Sequence, residues 1–169
     1  MSGQLTQYYR DLGLTHLHAK IISRNVTGGI SLAGNILILQ DILRNPNKLA
    51  QNSIYHRLMI GLSVTEFFTS LGIFLGTWPM PKGYFIMAVG SIRSCDATGF
   101  FNQVGAIGTP LYNCSLVVNY FLRLKCLWSE RKVKEIEKWL HIVPLSVTFI
   151  SAIVGLILRA YGPIGLHCW

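Results

Sequence analysis

Catalysis and metal binding need acids, bases or thiols held at one point, and few residues of this chain could meet in that way. Its five histidines and four cysteines are scattered. His16 and His18 form a lone His-x-His near the N-terminus, too sparse for a metal site. The run "TGGISLAGN" (Thr27 to Asn35) is rich in glycine but lies inside an apolar stretch, where a phosphate-cradling loop has no place. Asn25-Val26-Thr27 reads as a glycosylation sequon that abuts the same stretch. Asn113-Cys114-Ser115 has the same pattern inside another apolar stretch. We expect no enzyme, no catalytic or metal-ligating residues and no cofactor. What remains is one acid in an unusual setting, Glu66, and the two cysteines Cys95 and Cys168, each next to the end of a long apolar run.

The composition says what positions these residues. The chain has 169 residues, 51% hydrophobic and 13% charged, where a soluble domain carries roughly a quarter charged residues. Crossing a bilayer takes about 20 mostly apolar residues. Four stretches meet that length, at about 26–43, 58–79, 97–124 and 139–161. The connecting segments are too short to hold another core, which disfavours a soluble helical bundle. The fold class expected is an all-α membrane protein of four transmembrane helices. The first 20 residues are too polar for a cleavable signal peptide, so 1–25 reads as an extracellular segment and 162–169 as the start of an outer loop. Arg44, Lys48 and Arg57 lie between the first two helices. Lys125, Arg131, Lys132, Lys134 and Lys138 lie between the last two, and only Lys82 and Arg93 lie between the middle two. Basic loops stay in the cytoplasm, so both termini should face outside. The net charge of +8 is what a cytoplasmic face against anionic lipid requires. We expect membrane lipid, and no nucleic acid, as its partner.

This topology sorts the cysteines. Cys114 falls mid-membrane and Cys126 at the inner edge. Cys95 and Cys168 both emerge on the outer, oxidising side. They are the one pair that shares that compartment, either as a disulfide or as two free thiols. Small and polar residues form stripes that should turn inward, because polar groups in hydrocarbon need partners. In the first helix the stripe is Thr27, Ser31, Asn35 and Ile38. In the third it is Asn102, Ala106, Thr109, Asn113, Leu116 and Tyr120. In the fourth it is Pro144, Thr148, Ser151 or Ala152, and Gly155. Glu66 lies about 13 Å and Asn35 about 12 Å from the inner helix ends, at 1.5 Å per residue. Their matching depth makes the Asn35 amide a hydrogen-bond partner for the carboxyl group. We expect an interhelical polar core of Asn35, Glu66 and Asn113. Pro110 should bend the third helix, either to shape an outer cavity or to fit a neighbour. His141 should lie at the membrane interface.

"GNILIL" in the first helix, "LSVTEFFTSLGIFLGTWPMP" in the second, Cys95 opening the third and Cys168 after the fourth resemble, in that order, the first half of a G-protein-coupled receptor. "YHRLMIGLSVTEFFTSLGIFLGTWPMPKG", "CDATGFFNQVGAIGTPLYNCSL" and "HIVPL…SAIVGL" are similar to the cyclic-AMP-receptor-like group, which includes algal receptors catalogued with a secretin-type profile. The resemblance runs from about Ile21 to Trp169. It departs from the rhodopsin-like pattern where Asn119-Tyr120-Phe121 stands in place of Asp-Arg-Tyr and where the acid of the second helix is Glu66 rather than Asp. It implies a seven-helix receptor of which this chain is an N-terminal, four-helix fragment in the plasma membrane. It implies a pocket for an extracellular ligand near Trp78, Phe100, Phe101 and Gln103. It also implies a cytoplasmic surface at Asn119, Tyr120, Arg123, Lys125, Arg131 and Lys132, within the stretch from Arg123 to Lys138. A heterotrimeric G protein would dock there when the receptor is complete. The alternative is a self-contained four-helix membrane scaffold or assembly subunit.

Overall fold

A computed structural model describes residues 2–44, 54–84, 87–164 and 167–169. Lys48, counted above with the basic loops, lies outside the described residues. The chain forms four helices: α1 (Ser2–Arg44), α2 (Ile54–Leu75), α3 (Ile92–Leu124) and α4 (Glu130–Ile157). A small hairpin follows, made of β1 (Pro163–Ile164) and β2 (His167–Cys168). Thr15–Arg44, Ile54–Leu75 and Arg131–Ile157 are long and apolar enough to cross a membrane. The protein is an all-α membrane protein. Its α3, with 33 residues, is about 50 Å long by helical rise and is not one of these three.

The helices differ in extent from the apolar runs, because apolarity marks a span and other signals mark a helix end. α1 continues back through the segment read as extracellular, since polar residues alone do not stop a helix. α2 ends four residues before Pro79, where Gly76 adopts the left-handed conformation with φ +52° that glycine enters without penalty. α3 starts five residues before Ala97 because Ser91 and Ser94 form a reciprocal cap. The Ser94 amide donates to Ser91 Oγ at 3.3 Å, and the Ser91 amide donates to Ser94 Oγ at 2.7 Å. α4 starts at Glu130 and ends four residues before Tyr161.

α2 packs between α1 and α3, and α4 lies against α3 with a lighter contact to α2. Two glycines let helix backbones come close. A Cβ on Gly28 of α1 would sit 2.6 Å from the Phe74 amide nitrogen of α2, and one on Gly105 of α3 would sit 2.6 Å from that of Thr69. Small residues allow such backbone proximity where lipid supplies no hydrophobic drive for association. The inner core is Ile54, Leu58, Leu62, Tyr112, Leu116 and Val133. On α4, Leu145, Phe149, Ile153 and Leu156 are exposed, forming a surface suited to lipid.

Candidate functional site

The polar residues of α1, α2 and α3 converge on an open groove of about 550 Å³. Ser31, Asn35, Glu66, Thr69, Ser70 and Thr109 line it together with Ile38, Ile73 and Ala106, and with Gly34, Gly105 and Pro110. Asn35 is buried and its amide donates to Ser70 Oγ at 3.2 Å. This corrects the expected Asn35–Glu66 pairing. Asn35 is level with Ser70, one helical turn outward from Glu66, so the amide finds the hydroxyl and misses the carboxyl group. Glu66 is half-buried near the middle of α2. Among the described residues no hydrogen bond or ion pair reaches its carboxylate. Thr109 donates to Thr65 Oγ1 at 3.4 Å, linking α3 to α2 at the same level.

Asn113 is not part of this core. It is exposed, as is Tyr120, while Asn102, Tyr112, Ser115 and Asn119 are buried. The covered side of α3 shifts along its length because its neighbours change. Its outer half lies under the hairpin, where the Asn102 amide donates to the Cys168 carbonyl at 2.9 Å. Its inner half is wedged between α2 and α4, where Ser115 Oγ donates to the Leu140 carbonyl at 3.0 Å. A straight stripe drawn through the helix therefore leaves the core part-way down.

At the outer end Cys95 and Cys168 form a disulfide with their Cα atoms 5.2 Å apart, and both are buried with Met80. The bridge holds β2 on the top of α3. The hairpin is closed by Gly162 and Trp169, each amide donating to the other's carbonyl at 2.6 and 2.9 Å. Tyr161 donates its hydroxyl to the Ala152 carbonyl at 2.8 Å. Of the four residues expected to form one ligand pocket, two lie together. Phe100 and Phe101 line a trough of about 410 Å³ with Arg93, Asp96, Ala97 and Leu156. Phe101 also stacks on Phe68 with ring centres 5.2 Å apart. Trp78 lies against Phe74 instead, and Gln103 is not part of the trough wall.

At the inner end Tyr120, Lys125, Arg131 and Lys132 are exposed, and Arg123 is half-buried. Asn119 departs from the expected partner surface. It is fully buried, with neither amide atom hydrogen-bonded, because it lies on the side of α3 that faces into the bundle. Beside this surface is an ion pair that the sequence did not disclose. Arg57 of α2 binds Glu137 of α4 through both carboxylate oxygens, with Nη2 donating to Oε2 at 2.7 Å. Next to it, the Tyr112 hydroxyl lies 3.4 Å from His141 Nδ1. His141 therefore bridges α4 to α3, one third of the way along a helix that begins at Glu130. Among the described residues, no three of His, Cys, Asp and Glu come together as a metal site would need.

No protein-family model matches this chain. It is 27% identical over 153 residues to "Frizzled/smoothened-like sans CRD protein A" of Dictyostelium discoideum. That match takes in 85% of this chain and 26% of the relative, so the chain spans about a quarter of the length of that curated protein.

Proposed function

We propose that this chain is the four-helix first part of a G-protein-coupled-receptor-like membrane protein. Its α1, α2 and α3 would present the polar groove to further helices. The groove carries the reading. Among the described residues the Glu66 carboxylate has no hydrogen-bond partner, lipid supplies none, and an unsatisfied polar group in hydrocarbon costs several kcal/mol. Such a face is suited to other helices that supply hydrogen bonds. The Dictyostelium relative, by its name, supports a receptor over a scaffold. Its Frizzled/smoothened-like label and the resemblance to the cyclic-AMP-receptor-like group both point to a receptor and differ on the subgroup.

In this reading all four helices span the plasma membrane with the N-terminus and the hairpin outside. An extracellular ligand is sensed beneath the disulfide-pinned hairpin. A heterotrimeric G protein is met by Tyr120, Arg123, Lys125, Arg131 and Lys132 on the cytoplasmic side. The test replaces the matching segment of the Dictyostelium relative with this chain. Nucleotide exchange is then measured in membranes holding the chimera, the intact relative or this chain alone. The chimera is expected to support exchange like the intact relative, and the chain alone is expected to stay at the level of empty membranes. Robust exchange by the chain alone, or an inert chimera that reaches the membrane beside an active relative, would overturn the reading.

A further inference from the structure

Among the described residues the outer hairpin touches α1 through a polar contact whose chemistry restricts its protonation state. Arg24 Nη1 lies 3.3 Å from His167 Nδ1. A guanidinium offers only donors, so in this geometry Nδ1 accepts and the imidazole is neutral, with its proton on Nε2. The hairpin cannot easily leave the bundle, because Cys168 is bonded to Cys95 and its carbonyl accepts from Asn102. The outer part of α1 has weaker polar anchoring. Asn25 Oδ1 on α1 and Thr77 Oγ1 just after α2 are both buried without a hydrogen bond.

We propose that His167 is a proton-sensing site on the outer face. Neutral, it accepts from Arg24 and ties the hairpin to α1. Protonated, it meets Arg24 as a like charge and releases the outer end of α1. The inference rests on this geometry and not on the receptor reading. β2 packs on α3, α2 and β1. The outer turns of α3 carry Arg93 and Asp96, α2 carries no charge outward of Glu66 near its middle, and β1 carries none. Lys20 lies one turn before Arg24 on α1, Lys82 lies in the α2–α3 connection, and Arg159 precedes the hairpin. Among these groups it is the Arg24 charge that acts on His167. Burial first, and then Arg24, hold the imidazole below the ordinary histidine pKa. The neutral form is therefore favoured in the fold, and the tie is present above the ordinary value near 6.5. It is lost as the pH falls through the lower, folded-state value.

The experiment uses the full chain in lipid nanodiscs, with the exposed thiols Cys114 and Cys126 changed to serine. Spin labels at Lys20→Cys and Ile164→Cys report the distance between α1 and the hairpin from about pH 8 to about pH 5, a range that brackets an ordinary histidine. The distance is expected to lengthen on acidification with a midpoint below the ordinary value. His167→Gln keeps an acceptor that does not titrate and should hold the short distance throughout. A second readout is the titration of the isotope-labelled His167 ring, whose midpoint should rise in Arg24→Gln. A distance that does not change with pH, an unchanged response in His167→Gln, or a His167 midpoint that does not respond to Arg24→Gln would overturn the proposal.

Discussion

Glu66 is the residue whose setting is most unusual, and its sequence already showed it: an acid in the middle of a 22-residue apolar helix. In the chain alone the carboxylate has an open groove on one side and no partner among the described residues. Glu66→Gln removes the charge and keeps the shape. It should stabilise the isolated chain in nanodiscs by about 1–3 kcal/mol, from the cost of an acid at that depth. A destabilised variant in thermal unfolding would show that the carboxylate already has a compensating partner. The Arg57–Glu137 pair behaves oppositely, since each charge supports the other. Its side chains retain 28% and 14% exposure, so water screens part of the interaction. Arg57→Ala should cost about 1–3 kcal/mol, below the value for a fully buried pair. Adding Glu137→Ala should recover a good part of that loss, and a double-mutant cycle measures the coupling. The sequence could not reveal this pair. Arg57 and Glu137 are 80 positions apart, and in a basic loop each reads as an ordinary surface charge. Asn113 and Asn119 were misplaced for a related reason: both are amides on α3, and the neighbour on each side decides which one is covered.

At the scale of elements, the helices themselves were legible from four apolar runs, but their ends were not. Ser91 and Ser94 set the start of α3 through a cap that apolarity does not register, and Gly76 ends α2 through its backbone conformation. The hairpin was not legible at all, because two residues per strand fall short of the three or more of an ordinary strand. It exists because Cys168 is held on α3. Two predictions belong here. Cys168→Ser, or reduction of the wild-type chain, should lower stability by about 2–4 kcal/mol, as expected for a bridge closing a long loop. Unfolding midpoints with and without reductant measure the effect, and an unchanged midpoint would mean that the bridge does not constrain the fold. Gly105→Val places a branched side chain against the α2 backbone. It should cost at least about 1–3 kcal/mol by overpacking, whereas Gly13→Ala, at a position with open space around it, should cost nothing measurable.

The whole molecule has two unlike faces. The exposed surface of α4 is mostly apolar, while the face built by α1, α2 and α3 is a concave groove that holds the Glu66 carboxyl group and several hydroxyl groups. Lipid suits the first and not the second, and this asymmetry is why we read the four helices as one side of a larger bundle. The proposed orientation rests on the tendency of basic segments, such as those at Arg44 and Arg57 and the α3–α4 connection, to stay in the cytoplasm. Epitope tags at each terminus should therefore bind antibody on intact cells, and a tag seen only after permeabilisation would reverse the orientation. The measurement that tests the central claim most directly is the accessibility of the groove. Single cysteines at Ser31, Thr69 and Thr109, with Cys114 and Cys126 replaced, are reacted with a lipid-soluble maleimide in two settings: this chain alone, and the chimera with the rest of the Dictyostelium relative. The account predicts ready labelling of all three positions in the chain alone and protection in the chimera. Equal labelling in both, in chimeras that have reached the membrane, would contradict it by showing that no further helix covers the groove.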